Sequence, residues 1–139
     1  MKSREVAGGY MVRLDRGEEA IGSLTAFVKN TNIPCGFLQG IGSIREVELG
    51  YFDTRTNQYR RRRFPEAVEV VSLFGNITWL DNEPFVHAHA AIAGPDQNLL
   101  GGHLFSGTVA VTLEIFIRVI PDKLSRSRDP DLGFNRWDL

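Results

Sequence analysis

Apolar and polar positions change rhythm along the chain, and each change marks an element. Tyr10, Val12 and Leu14 alternate within residues 5–14, the period-two pattern of a half-buried strand. Asp15 then stands three residues before Glu18, an acid-x-x-Glu arrangement that resembles a helix N-terminal cap. Ala20, Ile21, Leu24, Phe27 and Val28 follow at the spacing of an amphipathic helix. That helix should stop between Asn30 and Asn32, because the residue before Pro34 disfavours helical backbone.

Beyond it the period shortens. Residues 36–41 and 44–52 read as strands separated at Gly40 and Gly42. A polar turn from Thr54 to Gln58 makes 44–52 and 59–64 a hairpin. Residues 68–79 form a strand, with Gly75-Asn76 as a kink or bulge. Residues 84–93 and 98–105 flank the turn Gly94-Pro95-Asp96-Gln97, and 108–120 is the last long strand, rich in β-branched residues. One early helix followed by strands at hairpin spacing predicts a single compact α+β domain, residues 1–139, with a mainly antiparallel sheet. The polar tail 121–139 carries Phe134 and Trp137, which should pack it back onto a core of residues 5–120.

Composition narrows the function classes. A 42% apolar content over 139 residues is enough for a real core. A net charge of -1 supplies no global basic field for nonspecific nucleic-acid binding. Cys35 is the only cysteine, so no intrachain disulfide and no cysteine-based zinc site can form. The chain start lacks the apolar core of a signal peptide and no apolar run is long enough to span a bilayer. A cytoplasmic protein is expected.

All three histidines fall between residues 87 and 103. On a strand, His87 and His89 share one face, roughly 6.6 Å apart, with only Ala91 and Ala93 beside them. Val86, Ala88, Ala90 and Ile92 make the opposite, apolar face. Two imidazoles in alanine surroundings can converge on an ion, and a third completes the three-ligand set of open zinc sites. Iron, nickel or copper accept the same donors. Register decides whether His103 joins. If residues 93 and 98 pair, His103 lies opposite Ala88 and on the wrong face. A bulge at Gly101-Gly102 would move the register by one; otherwise His103 must come from a neighbouring subunit or irregular backbone.

The stretch from Phe85 to Gly94 with its His-Ala-His, followed by Gly101-Gly102-His103-Leu104, resembles the PPC (plant and prokaryote conserved) domain. Gly40-Ile41-Gly42-Ser43, Glu69 to Ile77, and Thr112 to Ile115 resemble further parts of that family. The resemblance implies a central antiparallel sheet, a homotrimer, and in the prokaryotic branch a metal held by His87, His89 and His103. Plant relatives accompany AT-hook segments that bind DNA; the Arg-Gly-Arg-Pro centre of an AT-hook does not occur in this sequence.

Other candidates are weaker. The arginine run Arg60 to Arg63 reads as a solvated edge strand or as subunit ion pairs with Glu66 and Glu69, ahead of a phosphate contact. Gly40-x-Gly42 lacks the third glycine of a dinucleotide loop, since Arg45 stands there, and fits backbone bending or close strand approach. Glu114 is the candidate catalytic residue, either orienting a histidine or acting as a base; Glu83 is a second possible base. Three functions follow in order. The first is a zinc-binding trimeric domain that binds a small ligand or a protein partner. The second is a zinc-dependent hydrolase or lyase using a metal-bound water, and the third a DNA-binding regulator.

Overall fold

The computed structural model describes all residues from Met1 to Leu139. The elements are β1 (Lys2–Val6), β2 (Gly9–Asp15), α1 (Ala20–Thr31), β3 (Cys35–Asp53), β4 (Gln58–Phe64), β5 (Val68–Leu80), β6 (Glu83–Ala93), β7 (Leu99–Ile120), β8 (Arg126–Arg128) and β9 (Asn135–Trp137). Seven strands form one sheet in the order β1-β2-β7-β6-β5-β3-β4, every pairing antiparallel. β7 also pairs with β3, so β3, β5, β6 and β7 close on themselves. The expected α+β domain with a mainly antiparallel sheet is the one observed.

Two pairs of expected strands are single long ones. Residues 36–41 and 44–52 belong to one 19-residue strand, and 99–105 and 108–120 to one 22-residue strand. The glycines that suggested breaks instead permit close approach. A Cβ on Gly42 would lie 2.2 Å from the Thr112 carbonyl oxygen, and the β3–β7 register shifts just beyond it. Such strands bend around the core without ending. Residues 5–14, expected as one strand, fold as the β1–β2 hairpin, which turns at Gly8 with a φ of 79°. Gly75 is no kink: it pairs in register with Ala88, and the β5–β6 shift falls between Val70 and Ser72.

The helix buries Ala20, Leu24, Phe27 and Val28, with Ile21 at the margin of the core. Its N-cap lies four residues beyond Asp15, where the acid-x-x-Glu pattern placed it. Glu19 is the N-cap and accepts from the Ile21 and Gly22 backbone N–H groups, while Glu18 accepts from the Asp15 N–H at 2.6 Å. Asn32 ends the helix in the left-handed conformation, returning its N–H to the last turn. These residues join an apolar cluster from inside the closed strands, including Leu38, Ile44, Leu73, Ile77, Ile92, Leu113 and Ile117.

Beyond β7 the chain crosses back. The Trp79 N–H donates to the Leu124 carbonyl, Phe134 meets Phe52 edge-on at 5.6 Å, and Arg126 runs in beside β5 and β6.

Candidate metal centre

β6 and β7 build the site. Ala88, Ala90 and Ile92 enter the core, which sends His87 and His89 to the outer face. Ala93 pairs with Leu99 rather than residue 98, so His89 pairs directly with His103. The register is thus one residue away from the pairing that would strand His103, but no bulge at Gly101-Gly102 produces it. The extra residue sits in the connection. Gln97 adopts a φ of 59°, and the Asp96 carboxylate accepts from the Asn98 backbone and side-chain N–H groups. Asn98 is held in the loop and β7 begins at Leu99. One chain supplies all three rings.

The three rings lie 5.0 to 5.5 Å apart by centroid, and one nitrogen from each falls within 4.8 Å of the others. Room for the third ring comes from glycine. Gly50 pairs with His103, and a Cβ there would strike Phe105 at 2.4 Å and Tyr59 at 3.0 Å. The space lets those aromatics flank His103, with centroids at 4.5 and 5.1 Å. His87 and His103 are half-buried and His89 is exposed, so the cluster opens to solvent past His89.

Burial governs the electrostatics. It pushes His87 down to about 4, with the Arg126 charge and then His89 adding to the effect. His103 is also lowered to about 4 by burial, then by the other two histidines, Arg61 and Arg126. Both rings are therefore neutral at pH 7, the form whose lone pair binds a metal. Nδ1 of His103 is buried without any hydrogen-bond partner, so in the tautomer that leaves its lone pair free it is available to an ion. Three imidazoles without a carboxylate among them suit zinc or a neighbouring divalent transition metal.

The remaining candidates lie elsewhere. Glu114 pairs opposite Ile41 and Arg13 and lines an open groove of about 760 Å³ with Met11, Ile41, Val71 and Phe74. Glu83 is engaged by Lys29 at 2.7 Å. Cys35 is buried, which raises its thiol pKa. The arginine run lies on edge strand β4, and within the chain three of its four members already have carboxylate partners. Arg60 pairs with Asp53, Arg61 with Glu48 and Arg63 with Glu46. Sequence reasoning missed Arg126. Its side chain is 8% exposed and reaches the cluster, with Nη2 3.3 Å from His87 Nδ1. Its position in a polar tail gave no signal of this.

A one-helix, antiparallel β-domain with an imidazole triad on two paired strands defines the class of protein. The chain belongs to the Plants and Prokaryotes Conserved (PCC) domain family, whose model matches residues 1–121. Solved relatives agree. A protein from Bacteroides thetaiotaomicron, described as a candidate DNA-binding protein, is 31% identical with a TM-score of 0.95, over 99% of this chain and 96% of its own. A plant- and prokaryote-conserved protein from Pyrococcus horikoshii is 29% identical with a TM-score of 0.88, over 99% and 94%. A metal-containing protein from Archaeoglobus fulgidus is 30% identical with a TM-score of 0.87, over 97% and 96%. No curated protein matches the chain.

Proposed function

We propose that this chain is a metal-binding domain in which His87, His89 and His103 hold zinc or a similar divalent ion with one position left for a small ligand. The observation that carries the reading is the convergence of one nitrogen from each of the three rings within 4.8 Å. The description of the Archaeoglobus relative as metal-containing supports it. When bound, the ion supplies Lewis acidity at its open position. His87 and His103 are pre-set as neutral donors, Gly50 makes room for His103, and the exposed edge at His89 admits ligand.

Ligand binding is favoured over hydrolysis because no carboxylate stands at the cluster to move a proton: Glu83 is tied to Lys29 and Glu114 faces the groove. The chain is further proposed to assemble with itself, as a homotrimer, through the exposed apolar side chains around that groove. A DNA-binding role remains a second reading, motivated by the description of the Bacteroides relative. The carboxylate partners of Arg60, Arg61 and Arg63 leave little free charge on β4 for phosphate.

Metal analysis tests the main reading. Purified protein should carry about one ion per chain, and His87→Ala, His89→Ala and His103→Ala should each lose it while keeping the fold by circular dichroism. Full metal content in all three variants would end the proposal.

A further inference from the structure

The side chain beside the triad raises a problem of hydrogen-bond accounting. Arg126 is 8% exposed, yet no carboxylate touches it. Its Nε donates to Thr78 Oγ1 at 2.8 Å, Nη1 to the Asn135 carbonyl at 2.8 Å, and Nη2 to Asn76 Oδ1 at 2.6 Å. Its Cζ lies 4.7 Å from the Phe85 ring centroid. The remaining contact is Nη2 to His87 Nδ1 at 3.3 Å. An arginine has donors and no lone pair, so the imidazole accepts. A buried guanidinium with no anionic partner is costly, and here every partner is neutral.

Metal binding makes the arrangement worse. A neutral imidazole has one lone pair; its other nitrogen carries hydrogen. Once the His87 lone pair is given to an ion, neither nitrogen accepts from Arg126. Histidine ligands usually donate their second N–H to an acceptor, and here the neighbour is itself a donor. The loaded site therefore holds a divalent cation, three neutral rings and a buried guanidinium whose N–H has just lost its acceptor. Arg61, over the Phe105 ring at 3.8 Å, adds no demand because Glu48 pairs with it.

We infer that the fourth metal position takes a small oxyanion, a carboxylate or a phosphate, which Arg126 binds at the same time. Such an anion supplies both the missing charge and the missing acceptor, and guanidinium matches its geometry. The inference rests on the metal reading above and names its ligand class. Arg126 lies outside residues 1–121, the span of the family match, so the tail adds it to a site built by the domain.

The test uses the full chain loaded with cobalt, whose visible spectrum reports the fourth ligand. Acetate and inorganic phosphate are titrated separately, with chloride as a spherical anion that gains less from guanidinium geometry. Wild type should bind at least one oxyanion more tightly than chloride. In Arg126→Met and Arg126→Gln the oxyanion affinity should fall roughly tenfold or more, the loss typical of a hydrogen bond to a charged group. Cobalt stoichiometry should stay at about one. Oxyanion affinity unchanged in folded, metal-loaded variants would overturn the role of Arg126. Wild type that binds cobalt but no oxyanion would overturn the ligand class. Wild type that binds no cobalt would remove the metal reading itself, and the inference with it. Should Arg126→Met fail to fold, Arg126→Lys, which keeps charge but loses the planar fork, supplies the comparison and should weaken oxyanion binding without abolishing metal.

Discussion

A single carboxylate shows how this protein handles charge away from its histidines. Asp53 ends β3 almost wholly buried, and Arg55 and Arg60 converge on it. Hydrogen bonds from the Arg55 side chain and backbone, with Arg60 adding, hold its carboxyl down at about 2 from an ordinary 3.8. The unfolded chain therefore takes up this proton at a higher pH than the folded one. The stability it contributes is complete above pH 4 and is lost as pH falls from about 4 through 2. Asp53→Asn should lower stability at neutral pH and flatten part of the acid limb of the stability profile. Urea unfolding at pH 7, 4 and 2.5 measures both effects. An unchanged slope between pH 4 and 2.5 would deny Asp53 that role. The same residue commits Arg60 to structure, as Glu48 and Glu46 commit Arg61 and Arg63.

At the scale of elements, the loop between β6 and β7 sets the site. Pairing of Ala93 with Leu99 places His103 beside His89, and one residue fewer would place it beside Ala88. Inserting one glycine between Leu100 and Gly101, with the loop unchanged, should therefore move His103 opposite Ala88 and leave a folded domain with the outer face of β7 misregistered. Metal affinity should drop by more than about 100-fold, beyond the loss expected from disturbing a supporting contact. Calorimetric metal titration with circular dichroism checks both halves. Intact affinity would show that the register can be restored elsewhere in β7. The sequence makes the helix legible because its apolar stripe, its stop before Pro34 and its neighbouring strands agree. Strand identity and the shared face of His87 and His89 are legible for the same reason, since period two is local. The continuity of β3 is not, because Gly40 and Gly42 look like breaks until a partner backbone is seen against them. Arg126 is invisible for a stronger reason: its contact spans 39 residues and depends on where a polar tail docks.

Across the whole molecule the site and the apolar surface are continuous. Residues paired across strands share a face, and His89 pairs with Phe74 on one side as it does with His103 on the other. Phe74 stacks on Phe37 and is 57% exposed; Ile41 at 61% and Met11 at 56% carry the apolar surface across the groove. An exposed patch of this kind, reaching the open edge of a ligand site, favours burial against another copy. Assembly would then bring a second chain close to the position where ligand enters, without being needed to hold the ion. Met11→Lys with Ile41→Lys separates these roles, because neither residue touches the triad. Light scattering should show the mass fall from an oligomer to a 15.6 kDa monomer, while the metal remains at about one per chain. An oligomer that survives the double substitution would place the interface on another surface. A monomer that also loses its metal would mean that the neighbouring copy, and not the three histidines of one chain, completes the coordination.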